Sequence, residues 1–298
     1  MKNRNVILLF GLMAGFILLE QSCKKHPDNT QTDYNKELIT VKESMFPQQF
    51  ANQFMLSFFK SIHDSALINS GFSRIDSASV KMTNQNDTLC IRFEYWSNPD
   101  NPDNIWHHHD SYNHYRAGTY SFIADSLFLA NHTGNVEILV EREFYYDSLP
   151  VDIRKIHISK TGLNQNGNQT FKVVFDDLTM SGTYAHKSSC SFKAEFNYEL
   201  FSDNQAYSGN NDFYLFSGSI SGNTSTGVNY EIEIDPDTAR YKIDYQCFYT
   251  IEGKSTVNYY GNENIQPKAF LDFISADGCT NQYMITIPEI FSIKSSIE

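Results

Sequence analysis

A cluster of imidazole and carboxylate side chains in the first half of the chain has the residue types of a metal site. If the stretch is extended, alternate side chains point to the same side, so His107 and His109 share one face. Asp110 or His114 would complete a ligand set suited to zinc or copper. The alternative is a polar loop with solvated imidazoles, because the cluster follows the Asn/Asp/Pro-rich stretch 98–104.

Other catalytic patterns are absent from the sequence. The chain contains no nucleophile elbow, zincin helix motif or phosphate-binding glycine loop. Asp100 and Asp103 could offer oxygens to calcium, but the alternating acids of an EF-hand are missing, so turn formation explains them better. We therefore assign no catalytic residue and expect no cofactor.

Aromatic side chains suggest carbohydrate binding, because flat rings exposed on a sheet can stack on sugars. The alternative is that these rings fill a β core. The candidates are Trp96, Trp106, Tyr112, Tyr259 and Tyr260.

The N-terminus has the order of a bacterial secretory signal. Lys2 and Arg4 precede an apolar run over residues 6–19, which is too short for a comfortable membrane span. A small residue then precedes Cys23, which resembles a lipoprotein signal in which that cysteine becomes the acylated first residue of the mature chain. The alternatives are cleavage at another position and an uncleaved anchor, since Glu20 departs from the usual pattern.

Composition limits the partners. The formal net charge of −12 argues against nucleic acid or anionic lipid as a ligand. After removal of the signal, residues 1–22, the chain is long enough for one large β domain or for two smaller ones that divide near residues 160–168. We expect it to reach the outer membrane and to contact the membrane through the lipid on Cys23.

One amphipathic helix is expected within residues 41–72, after a polar stretch, 23–40, that has the composition of a flexible tether. Ser44 would cap the helix and Pro47 would lie in its first turn. The helix would pack on the β body, and the alternative is a helix that binds a partner or lies on a membrane. The apolar residues recur every four positions: Phe50, Phe54, Phe58 and Ile62. The polar residues are Asn52, Gln53, Ser57 and Lys60.

From residue 73 to residue 298 the apolar residues alternate with polar ones. The clearest cases are residues 192–200 and 228–234, and turn residues such as Asn166 and Gly167 separate the strands. This pattern predicts an all-β body, built either as an antiparallel sandwich or as elongated meandering sheets.

Four stretches carry a family resemblance: residues 115–120, 160–168 and 217–223, and the run from 247 to 279. Together they resemble uncharacterised cell-envelope lipoproteins of Bacteroidota, over roughly residues 88–287. The resemblance implies a β-rich fold and a cell-envelope location but supplies no activity.

The cysteines permit disulfides in an exported chain. Besides Cys23 there are four, which allow three pairings. The resemblance implies a bond between Cys247 and Cys279, and it leaves open whether Cys90 and Cys190 pair.

Asp followed by Ser or Thr and an aliphatic residue recurs along the chain and resembles the O-glycosylation sequence of exported Bacteroidota proteins. Asp-Ser pairs also occur in turns through their own hydrogen bonds. The acceptors would be Ser65, Ser77, Thr88, Ser126, Ser148 and Thr238.

The sequence thus favours an outer-membrane-anchored, non-enzymatic binding module for a glycan or another envelope protein. The alternatives are a structural or coat component without a small-molecule site, and a metal protein or enzyme using His107, His109 and His114.

Overall fold

The computed structural model describes residues 35–95, 115–146, 149–180, 190–201, 212–224, 226–244, 250–261, 268–273 and 282–296. Residues 39–298 form one compact unit, and of residues 1–38 only the start of the first helix, 35–38, is described. The fold is all-β, with its α-helices on the N-terminal side and one short 3₁₀ helix, Ile153–Lys155, between the sixth and seventh strands, which confirms the predicted class.

Two helices precede the strands: α1, Asn35–His63, and α2, Ser65–Ser70. The first eight strands are β1 Phe72–Ile75, β2 Ala78–Gln85, β3 Thr88–Tyr95, β4 Arg116–Asp125, β5 Thr133–Tyr146, β6 Leu149–Val151, β7 Ile156–Leu163 and β8 Gln169–Met180. The remaining eight are β9 Cys190–Phe201, β10 Phe213–Asn223, β11 Asn229–Ile234, β12 Tyr241–Asp244, β13 Thr250–Tyr260, β14 Lys268–Phe273, β15 Gln282–Ile287 and β16 Phe291–Ser296.

Within the described residues, these strands form a single antiparallel sheet in which neighbours in sequence are mostly neighbours in space. Two places depart from a simple meander. Strands β6 and β7 both pair with β5 and β8, and strands β11 and β12 both pair with β10 and β13. The architecture is therefore one long meandering sheet rather than a sandwich of two.

Alternation decides which side of each strand is buried. In β11, Tyr230, Ile232 and Ile234 are buried, whereas Glu231 and Glu233 are exposed. The two sides of the sheet therefore differ: a core side packs against α1, and the opposite, outer side carries the polar residues.

Helix α1 supplies the core that the sheet packs around. Its phenylalanines contact aromatic rings of several strands that are distant in sequence. The ring centroid of Phe54 is 5.3 Å from that of Phe122 on β4. The ring centroid of Phe59 is 5.0 Å from that of Phe171 on β8 and 5.5 Å from that of Tyr214 on β10. These aromatic contacts confirm that the predicted apolar repeat packs on the β body.

The helix begins earlier than predicted. Asn35 rather than Ser44 opens it, so residues 35–40 of the expected tether are helical, and Pro47 lies inside the helix. Proline removes one intrahelical hydrogen bond. Val41 and Met45, both buried, add packing upstream that offsets this loss.

The polar side of α1 is largely buried as well. Asn52 and Gln53 are each only 3% exposed, and Ser57 is fully buried. The sheet supplies their hydrogen-bond partners: the Tyr198 hydroxyl donates to Asn52 Oδ1 at 3.3 Å, and the Tyr146 hydroxyl donates to Gln53 Oε1. Burial of these polar groups is tolerated because they are paired.

The aromatic core leads to a stability prediction. Phe58 is 1% exposed and touches the rings of Phe122, Phe128 and Phe171, so Phe58→Ala should lower the free energy of unfolding by about 3–5 kcal/mol. The control is Phe72→Ala on β1, because Phe72 is 48% exposed and its loss should cost less than about 1 kcal/mol. Urea denaturation of both variants checks the difference, and equal losses would contradict the role given to α1.

Candidate functional site

Several of the predicted site residues lie outside the described part of the chain, so their roles stay predictions. They are Cys23, Trp96, Trp106, His107, His109, Asp110, Tyr112, His114, Ser148, Cys247 and Cys279.

Two adjacent tyrosines of the carbohydrate prediction face opposite sides of β13. Tyr259 is 7% exposed, and its hydroxyl lies 3.5 Å from Ser44 Oγ of α1. Burial raises the pKa of Tyr259, and the ring cannot reach an external ligand, so its prediction as an exposed platform is wrong. Tyr260 is 52% exposed on the outer side, as the prediction requires.

An open depression of about 570 Å³ lies on the outer side of strands β11, β13, β14 and β15. We call it the outer groove. One row of side chains crosses it by strand register: Glu233 lies opposite Thr256, Thr256 opposite Phe270, and Phe270 opposite Thr286. Phe270 is 42% exposed, which leaves an apolar ring in a polar row.

A second row, formed by Glu231, Asn258 and Lys268, runs beside the first, and Tyr260 follows at the end of β13. Tyr260 is four residues from Thr256, the cross-strand neighbour of Phe270. At about 3.4 Å per residue along a strand and about 4.8 Å between strands, the Cα atoms of Tyr260 and Phe270 are roughly 14 Å apart. Two exposed rings therefore flank a polar surface.

Acidic side chains outnumber basic ones around the outer groove, and some of them are paired. Lys254 Nζ lies 2.8 Å from Asp272 Oδ2, and the Tyr260 hydroxyl donates to Glu231 Oε2 at 3.2 Å. Partial desolvation and that carboxylate raise the pKa of Tyr260, so it stays a hydroxyl donor at neutral pH. Among the described residues, Asn258 and Glu233 have no side-chain hydrogen-bond or ion-pair partner, so both can bind a ligand.

A second depression, of about 380 Å³, lies beside β5 and includes Glu141, Glu143 and Arg142. Its carboxylates already have partners: Arg92 binds Glu141 at 2.7 and 2.9 Å, and the Tyr145 hydroxyl donates to Glu143 at 2.6 Å. It lacks an aromatic lining, so it is the weaker candidate.

Beneath α1, a buried ionic cluster joins the helix to the sheet. Asp76, in the turn after β1, accepts hydrogen bonds from Ser57 at 2.6 Å and from Lys60 at 2.9 Å. Arg116 is 2% exposed and donates to the Tyr95 hydroxyl at 3.1 Å. Burial alone would raise the pKa of Asp76, but Lys60, Arg116 and Ser57 outweigh it and hold the pKa below its usual value. The cluster is structural, because its members pair with one another.

A half-buried imidazole, His63, lies at the end of α1. His63 Nδ1 is 2.8 Å from the Phe59 carbonyl oxygen, so Nδ1 carries the proton and donates it. Burial lowers the pKa of His63 from 6.5 to about 4, and the positive charge of Lys160 acts in the same direction. The hydrogen bond to Phe59 raises the pKa but does not outweigh burial. The imidazole is therefore neutral at physiological pH.

Cys90 on β3 is a free, half-buried thiol, so it is not bonded to Cys190, a pairing that the sequence left open. Strand register explains this: Cys190 opens β9 opposite Met180, whereas Cys90 lies between Thr83 and Ile123 in a distant part of the sheet.

The described acceptors of the O-glycosylation pattern lie at turns or element ends. Ser65, Ser77, Thr88 and Thr238 are exposed, and Ser126 is half-buried. Turn chemistry accounts for the positions, because Asp76 and Ser77 have φ of 49° and 67° and the Asp235 carboxylate accepts from the Thr238 backbone N–H.

In the described part of the chain, His, Cys, Asp and Glu side chains form no group of three or more that could hold a metal ion. The same residues include no helix with the length and hydropathy needed to span a membrane.

Comparison of the chain with family models, with curated proteins and with solved structures finds no match. The resemblance to Bacteroidota lipoproteins therefore stays a prediction.

Sequence reasoning missed Phe270, Asn258 and Glu233. A signal for Phe270 exists: it alternates with Ala269 and Leu271, which are buried, and shares its side of β14 with Lys268 and Asp272. An aromatic residue at a polar position of an alternating strand indicates an exposed ring.

The neutral state of His63 leads to a pH prediction. His63 gains its second ring proton near pH 6.5 in the unfolded chain but only near pH 4 in the folded chain. The free energy of unfolding should therefore fall as the pH drops from 6.5 to 4. The loss attributable to His63 is up to about 3 kcal/mol. His63→Asn, whose amide can replace the Nδ1 donor, should remove this part of the pH dependence. Urea midpoints from pH 4 to pH 7 test it, and superimposable profiles would disprove it.

Proposed function

We propose that the chain is an outer-membrane-anchored lipoprotein, and that it works as a non-enzymatic binding module whose outer groove takes a glycan. The observation that carries the proposal is the pair of exposed rings, Tyr260 and Phe270, on one polar side of a regular sheet.

The chemistry of the outer groove suits a sugar. The apolar C–H faces of a pyranose stack on aromatic rings, while its hydroxyl groups need partners that both donate and accept. Asn258 offers an amide with both capacities, and Glu233 offers carboxylate oxygens. A regular sheet holds these groups at fixed spacings, which lowers the entropy lost on binding.

The compartment rests on the N-terminal sequence. The order of basic residues, apolar run and cysteine supports acylation at Cys23, and an acyl anchor with more than one chain binds a membrane stably. With a net charge of −12, the protein itself is not attracted to anionic phosphates, so nucleic acid is not a proposed partner.

The glycan proposal is tested by screening soluble residues 24–298 on a glycan array, followed by calorimetric titration of a glycan that binds. Tyr260→Ala and Phe270→Ala should each weaken binding by roughly ten-fold or more, as expected for aromatic anchors. The control is Phe72→Ala, which removes an equally exposed ring far away in the strand order and should leave the affinity unchanged. A blank array, or full affinity of Phe270→Ala, would refute the proposal.

The anchor has its own test. Cys23→Ala should move the full-length protein from the membrane fraction to the soluble fraction and abolish palmitate labelling, because the acylated residue is lost. The control is Cys90→Ser, which should stay membrane-bound. Palmitate incorporation into Cys23→Ala would show that another residue is acylated.

A further inference from the structure

Strand β16 forms one edge of the sheet and has the features of an interaction surface. All six of its residues pair with β15, from Phe291 opposite Ile287 to Ser296 opposite Gln282. On its other side, no strand pairs with it among the described residues. An edge strand presents unpaired N–H and C=O groups that another strand can bind.

The opposite edge of the sheet, β1, is protected in ways that β16 is not. It has only four residues and carries the exposed Arg74, and Ser73 Oγ donates to Asp64 Oδ2 at 2.9 Å, which ties the strand to the cap of α2. Short length, charge and a covering helix all discourage edge pairing. Strand β16 has six residues, no proline, and Lys294 as its single charge.

Ile293 provides an apolar contact at this edge. It lies opposite Ile285, which is fully buried, so both side chains are on the core side of the sheet. Ile293 is nevertheless 41% exposed, because no strand of the described residues covers that side of β16. A strand added beside β16 would continue the core side and cover this residue.

The sequence of β16 is compatible with pairing to itself. A two-fold axis normal to the sheet places the core sides of both copies on the same side of the joined sheet. Residues opposite each other must point to the same side, and side chains alternate along a strand, so an odd-numbered residue must oppose an odd-numbered one and an even-numbered residue an even-numbered one. An axis through Ile293 opposes the two isoleucines and places Ser292 opposite Lys294 of the second copy. An axis through Lys294 would instead oppose two ammonium groups, which is unfavourable.

We propose that β16 pairs antiparallel with β16 of a second copy of this chain, with Ile293 opposite Ile293 at the two-fold axis. The pairing joins two sheets into one continuous sheet. Such a contact is far smaller than a stable interface of about 1,200–2,000 Å², so the dissociation constant in solution should lie between about 10 µM and 1 mM. Confinement to one membrane plane, if the chain is anchored, raises the effective concentration.

The experiment measures self-association of soluble residues 24–298 by sedimentation equilibrium up to about 1 mM. The unaltered chain should form dimers, whereas Ile293→Lys and Ile293→Asp should each stay monomeric, because like charges would meet at the axis. An equimolar mixture of the two variants should form dimers again. Ile68→Lys is the control, since Ile68 is 46% exposed on α2 and its replacement should leave dimerisation unchanged.

A crosslink tests the register. In a background with Cys90→Ser and Cys190→Ser, Ile293→Cys should give a disulfide-linked dimer under mild oxidation, because opposed strand residues have Cα atoms about 4.5–5.5 Å apart. Ser292→Cys should not crosslink, since Lys294 opposes it. A monomer at all concentrations, a mixture of charge variants that fails to associate, or a ladder of larger oligomers that indicates pairing of β16 with β1 would each overturn the proposal.

Discussion

The packing of α1 against the core side of the sheet is the interaction on which the rest of the structure depends. A single meandering sheet has one apolar side and no second sheet to cover it, so another element must bury that side. The phenylalanines of α1 do this: Phe50 meets Tyr146, Phe54 meets Tyr120 and Phe59 meets Tyr198. Strands β4, β5 and β9 are thereby held around one helix.

Enclosing a helix has an energetic cost, because its polar side chains must also be buried. Hydrogen bonds offset that cost. Arg116 donates to Gln53, the Tyr198 hydroxyl donates to Asn52, and Ser57 donates to the Asp76 carboxylate. Because these hydrogen bonds require specific positions of both partners, they fix the rotation of α1 about its axis and its position along the sheet. They also satisfy its buried polar groups. Since the core side is filled in this way, the proposed ligand site is placed on the outer side of the sheet.

Much of the fold follows from local patterns, and the parts that do not follow depend on distant partners. Alternation in β9 and β11 predicts strands with one buried side, and the four-residue repeat of phenylalanines predicts the buried helix. The burial of Asn52 cannot be read from its neighbours, because its partner Tyr198 is 146 residues away. Alternation along β13 predicts that Tyr259 is buried and Tyr260 exposed, because Tyr259 lies on the same side as the buried Val257. The outer groove cannot be predicted in this way, because it depends on how four strands align with one another.

The outer groove and the β16 edge lie in the same half of the sheet, and this proximity links the two proposals. The row from Glu233 through Phe270 to Thr286 continues to Ser292 of β16, so it reaches the sheet edge. In the proposed dimer, five interstrand spacings separate Phe270 from its counterpart, or roughly 24 Å. Both rings then lie on the same side of one continuous sheet. If both proposals hold, a polymeric glycan would contact two grooves at once, and because the second contact would be intramolecular, modest affinity at each groove would suffice for firm binding.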